Sequence, residues 1–174
     1  MRPAIFVLVA GSLAACDPPK ADTGHDAPPS ADSTAAPAAI DLSAHDVPLL
    51  VTAPDTQVLG GAVPAVRWNE EAGILEVRAG EHFALDIVEA DGDLRRLKED
   101  LARDMLLKHE VLEEGPDQLV YRSSYPDESL VFVHFVKVIR VAGRTFEVGD
   151  DPKGRFTEED VRRMMASTTP KPGV

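Results

Sequence analysis

Apolar positions along the chain switch between a period of two and a period near three and a half. Ile74 to Ala79 and His82 to Glu89 alternate as strands, with Phe83, Leu85 and Ile87 on one face and Gly80-Glu81 as a tight hairpin turn. Asp91-Gly92-Asp93 ends that hairpin and offers Asp93 as a helix N-cap. Leu94, Leu97, Leu101 and Met105 then recur at spacings of three and four. That stripe predicts a long helix reaching about Lys108 and packing through its apolar side, with Glu99–Arg103 and Asp104–Lys108 as i,i+4 pairs. Glu110 to Glu113 and Gln118 to Ser123 read as strands around a Gly115-Pro116-Asp117 turn. Ser129 to Val141 is apolar on both faces, which predicts a central strand covered on both sides over at least its first half. Gly143 turns it back into Arg144 to Val148. Thr157-Glu158-Glu159-Asp160 then forms a capping-box pattern, and Val161, Met164 and Met165 make the apolar side of a short last helix.

Nearer the start, Val47 to Thr52 is a short apolar run. Pro48 assigns it to a sheet edge, because proline donates no ladder hydrogen bond. Gly60-Gly61 and Pro64 mark a loop before Val66-Arg67-Trp68. The order of two or three strands, a helix, about four strands and a helix defines an α+β fold: an antiparallel sheet with one long amphipathic helix and a short C-terminal helix packed on it. The domain spans 41–169, followed by a tail at 170–174.

From Val66 to Ser167, this order closes with Arg144-Thr145-Phe146-Glu147-Val148 and then Phe156 to Met165. In topology it resembles the Mog1/PsbP-like group of α/β/α proteins. That resemblance implies a binding or accessory protein rather than an enzyme. A cystatin-like arrangement fits the same order.

The N-terminus changes the picture most. Arg2 precedes an apolar run from Ala4 to Leu13, too short to span a membrane comfortably, and small residues follow. Leu13-Ala14-Ala15-Cys16 resembles the lipobox of bacterial lipoproteins. The resemblance implies cleavage after residue 15, a diacylglycerol thioether on Cys16, and usually an acyl group on the new amino end. The alternatives are an ordinary cleaved signal with a chance cysteine, or a short uncleaved anchor. Residues 16–40 carry Pro18, Pro19, Pro28, Pro29 and Pro37 among small and polar residues, which predicts a disordered tether up to about 75 Å long when extended. Asp17 resembles the inner-membrane retention signal of enteric lipoproteins, and the choice of membrane stays open.

Composition narrows the chemistry. Among 174 residues Cys16 is the only cysteine, so an exported chain has no disulfide and no cysteine nucleophile or metal ligand in its domain. The net charge of −12 disfavours nucleic acid and anionic headgroups as ligands, which leaves the lipid to hold the membrane. His109-Glu110-Val111-Leu112-Glu113 begins like the helix of a zinc protease, yet Glu113 stands where the second histidine is needed. Asp150-Asp151 and Asp91-Gly92-Asp93 lack the alternating ligands of a calcium loop. His134 interrupts an apolar strand and needs a hydrogen-bond partner if buried.

The sequence shows no nucleophile elbow, phosphate loop or dinucleotide fingerprint, and no catalytic residue, cofactor or metal is assigned. Trp68, Tyr121, Arg122 and Tyr125 are of the types that anchor interfaces. The functional expectation is a lipid-anchored envelope module that binds a protein partner. The alternatives are a small-ligand carrier with a pocket between sheet and helix, lined in part by His134, and a hydrolase with dispersed residues built on His82 or His134.

Overall fold

The computed structural model describes residues 39–126 and 129–174. Within them the chain is α+β, with antiparallel sheets and two α-helices, as the hydrophobic pattern predicts. The main sheet has seven strands: β3 (Ala65–Asn69), β4 (Ile74–Ala79), β5 (Phe83–Glu89), β6 (Lys108–Gly115), β7 (Gln118–Ser124), β8 (Val131–Val141) and β9 (Arg144–Asp150). Their spatial order is β3-β4-β5-β9-β8-β7-β6. A smaller sheet joins β1 (Ala39–Asp41), β2 (Leu49–Thr52) and β10 (Thr168–Pro170), in the order β1-β2-β10. The helices are α1 (Leu94–Arg103) and α2 (Glu158–Ser167).

The register gives the main sheet two different faces. On one, Leu75 and Val77 of β4 lie opposite Ile87 and Leu85 of β5, while Ile139 of β8 lies opposite Phe146 of β9. All of these are buried. This core face is covered by α2, which packs on β5, β8 and β9, and by β10 against β8. Val161 and Met164 of α2 are fully buried in the same cluster as Phe83, Phe135 and Val148. The capping box forms as the sequence indicates: Thr157 Oγ1 accepts from the Asp160 N–H at 3.1 Å, and Asp160 accepts from the Thr157 N–H at 3.1 Å.

The opposite, polar face carries Glu76, Arg78 and Asp86 at one end and Tyr121, His134 and Ser123 at the other. Helix α1 lies on this side. Gly92, just before it, has φ +70°, and a Cβ there would stand 2.7 Å from Val138 Cγ1. Lys98 reaches Glu114 of β6 at 2.7 Å.

Several expectations change in detail. Helix α1 ends at Arg103, not near Lys108, and none of its residues is buried. Asp104 adopts extended backbone and accepts from the N–H groups of Leu106 and Leu107, which stops the helix. Met105, counted in the apolar stripe, is 93% exposed. The run with Pro48 is the middle strand of the small sheet rather than an edge, because Pro48 precedes β2 and needs no ladder donor. In β8 the residues buried on both faces are Val138 and Ile139, in its second half; at the other end Val131 is exposed. Ala39 and Ile40, counted in the tether, pair with β2, and Pro170 and Lys171 pair with β2 and Pro48 rather than forming a free tail. Cys16 and most of the predicted tether lie outside the described residues.

Candidate functional site

The sequence-nominated aromatic and arginine residues do not form one surface. Trp68 is on the outermost strand β3, 46% exposed, on the side of Leu75. Tyr121 and Arg122 are neighbours on β7 and therefore point to opposite faces. Five strand spacings, about 24 Å, separate β3 from β7. Arg122 pairs with Glu110 at 3.1 Å and Glu158 at 3.6 Å, tying β6 and α2 to the sheet. Tyr125 follows β7 and is exposed.

A different group comes together on the polar face of β6, β7 and β8. Register places His109 opposite Ser123, and Tyr121 opposite His134. Asp104 Oδ2 lies 2.9 Å from His109 Nε2, and His109 Nδ1 lies 2.8 Å from Ser123 Oγ. One strand further on, His134 Nδ1 lies 2.7 Å from Asp150 Oδ2, whose other oxygen accepts from the Phe135 N–H at 2.8 Å. Tyr121 sits between the imidazoles, with ring centroids 6.1 Å from His109 and 5.5 Å from His134, and Phe132 stacks on His134 at 6.2 Å. Burial, helped by the Asp150 charge, pushes the Tyr121 hydroxyl up to about 12. The His109 contact and the two loop N–H groups bring the Asp104 carboxyl down to about 2.

An aspartate, a histidine and a serine in line form the skeleton of a nucleophile relay. Here Ser123 is 2% exposed, so its hydroxyl, turned to His109, is closed off from solvent. What the line does in this conformation is fasten the 104–107 segment to the sheet. Sequence reading missed it. His109 stood in an incomplete zinc-protease pattern, and the strand pairing that brings Ser123 to it spans 14 residues. His134 does have the buried partner its position demands. His82, the other nominated base, lies 3.3 Å from Asp160 at the start of α2. Burial opposes ionisation of Asp160, yet the hydrogen bonds from Thr157 and His82 outweigh it and hold the carboxyl below its ordinary value.

The other end of the polar face holds a groove of about 640 Å³ lined in part by Arg67, Asn69, Glu76, Arg78, Asp86 and Lys153. Glu76 takes Arg67 at 2.7 Å and Asn69 at 2.8 Å, and these bonds lower its carboxyl. Burial raises Asp86 despite its bond to Arg78. Beside α1, a smaller groove is lined by Asp91, Asp93, Asp100 and Glu147 together with Arg96 and Leu97, polar where a carrier pocket is expected to be apolar. Among the described residues no three histidine or acidic side chains converge to hold a metal, and no helix is long and apolar enough to cross a membrane.

The fold is thus an antiparallel α+β body whose polar face is laced with internal ion pairs. Comparison with protein-family models, curated proteins and solved structures finds no match.

Proposed function

We propose that this chain is a lipid-anchored binding or accessory module of the bacterial cell envelope that acts on a protein partner. The observation that carries the reading is Leu13-Ala14-Ala15-Cys16, a lone cysteine placed directly after an apolar segment of signal length. Two or three acyl chains at Cys16 hold a protein durably where one chain gives only marginal binding. The acidic surface takes no part in that attachment. On the domain, the reactive groups are engaged internally: Asp104, His109 and Ser123 with one another, and His134 with Asp150. Such a body supports recognition through its edges and exposed aromatics. Replacing Cys16 with Ala tests the anchor: the variant is expected to leave the membrane fraction, and a variant still retained there contradicts the proposal.

The Asp104–His109–Ser123 line favours a second reading, a serine hydrolase. It requires Ser123 to reach solvent. Labelling of Ser123 by a fluorophosphonate, abolished in His109→Ala, is the result that supports it.

A further inference from the structure

Sheet edges are where a folded protein invites another strand, and three of the four edges described here are protected. Edge strand β6 is broken by a bulge between Val111 and Glu113 and carries Lys108, Glu110, Glu113 and Glu114. Strand β1 has three residues, and β10 has three and ends in Pro170. Strand β3 is the least protected of the four. Its five residues keep unbroken register with β4, contain no proline, and have no strand on their outer side among the described residues. Its one charge, Arg67, is drawn onto Glu76 directly across the pair.

The side chains along β3 define what fits beside it. Val66 and Trp68 share the core side, with Trp68 half out in solvent. Arg67 lies between them on the polar side, 73% exposed. Its Nε and Nη2 bond Glu76, which leaves Nη1 without a partner among the described residues. Lys153, in the same groove, forms no ion pair among the described residues. A second copy is a poor occupant: in the antiparallel register that pairs all five residues, Arg67 would stand opposite Arg67, and directly opposed like charges destabilise a sheet.

We propose that β3 is the docking edge for an extended segment of the protein partner, added to the sheet as an eighth strand. The segment carries apolar residues opposite Val66 and Trp68, and an acidic residue between them opposite Arg67. Backbone hydrogen bonds supply the pairing. The Trp68 ring and the spare Arg67 donors select the sequence. This deepens the binding-module reading and rests on it.

The test uses the full chain, isotopically labelled, and an acetylated, amidated peptide Thr-Thr-Val-Glu-Val-Thr-Thr, with a second peptide carrying Lys in place of Glu. The expected result is saturable movement of the Ala65–Asn69 amide resonances, with the Glu peptide binding about tenfold more tightly than the Lys peptide. That preference runs against the overall charge of −12, which attracts the Lys peptide. Trp68→Ala, at an exposed position, is expected to weaken binding about tenfold while leaving resonances outside β3 and β4 in place. Shifts centred on β6 or another surface, no saturable shift up to about 1 mM, or a β3-mediated dimer would each overturn the assignment. None of those results bears on the anchor, which Cys16→Ala tests separately.

Discussion

The two helices have ten residues each and opposite fates. Helix α1 has the cleaner apolar stripe, Leu94, Leu97 and Leu101, yet buries no residue completely. Helix α2 has a less regular pattern and buries Val161, Met164 and Met165. The difference lies in what each helix meets. Helix α2 lands on the core face, against Phe83, Phe135, Phe146 and the small sheet. Helix α1 lies on the polar face, tied there by Gly92 against Val138 and by Lys98 to Glu114. An amphipathic period says that a helix has an apolar side; the partner surface decides how much of that side leaves water.

The contrast is open to direct attack. Met164→Ala removes a fully buried side chain from the α2 interface and is expected to cost about 2–5 kcal/mol by chemical denaturation. Leu97→Ala on α1 is expected to cost only about 1 kcal/mol, since a half-buried leucine loses less contact and alanine is the better helix former. Equal losses at the two sites would erase the distinction between the faces.

The smallest effect concerns the segment that ends α1. The Asp104 carboxyl titrates at about 2 in the folded chain against an ordinary value of 3.8. A depressed carboxyl stabilises the fold above the ordinary value, and the gain disappears as pH falls from about 4 to about 2. Asp104→Asn is therefore expected to flatten the acid limb of a stability–pH curve in that window. An unchanged limb would show that the Asp104–His109 contact does not hold the segment.

Most of the fold was legible because the main sheet is built from local hairpins. The period-two runs at β4 and β5, the Gly115-Pro116-Asp117 turn and the Thr157 cap all signal within a few residues of themselves. The end of α1 was not legible. Asp104 competes for the Leu106 and Leu107 N–H groups and ends the helix, although Met105 continues the stripe. The middle position of β2 depends on β10, more than a hundred residues away, as does the Lys171–Asp41 ion pair at 2.7 Å. The candidate site shows the same division. The need of His134 for a buried partner followed from its place in an apolar strand, but the identity of Asp150 did not. His109, Ser123 and Tyr121 meet only through sheet register, and the lack of protection at β3 becomes visible only once the other three edges are known.

The proposed role depends on a lipid at Cys16. Mass spectrometry of the N-terminal peptide of the native protein reads that lipid out. The expected chain begins at Cys16 and carries a diacylglycerol thioether on its sulfur. A free thiol at Cys16, or a chain that still begins at Met1, would contradict it.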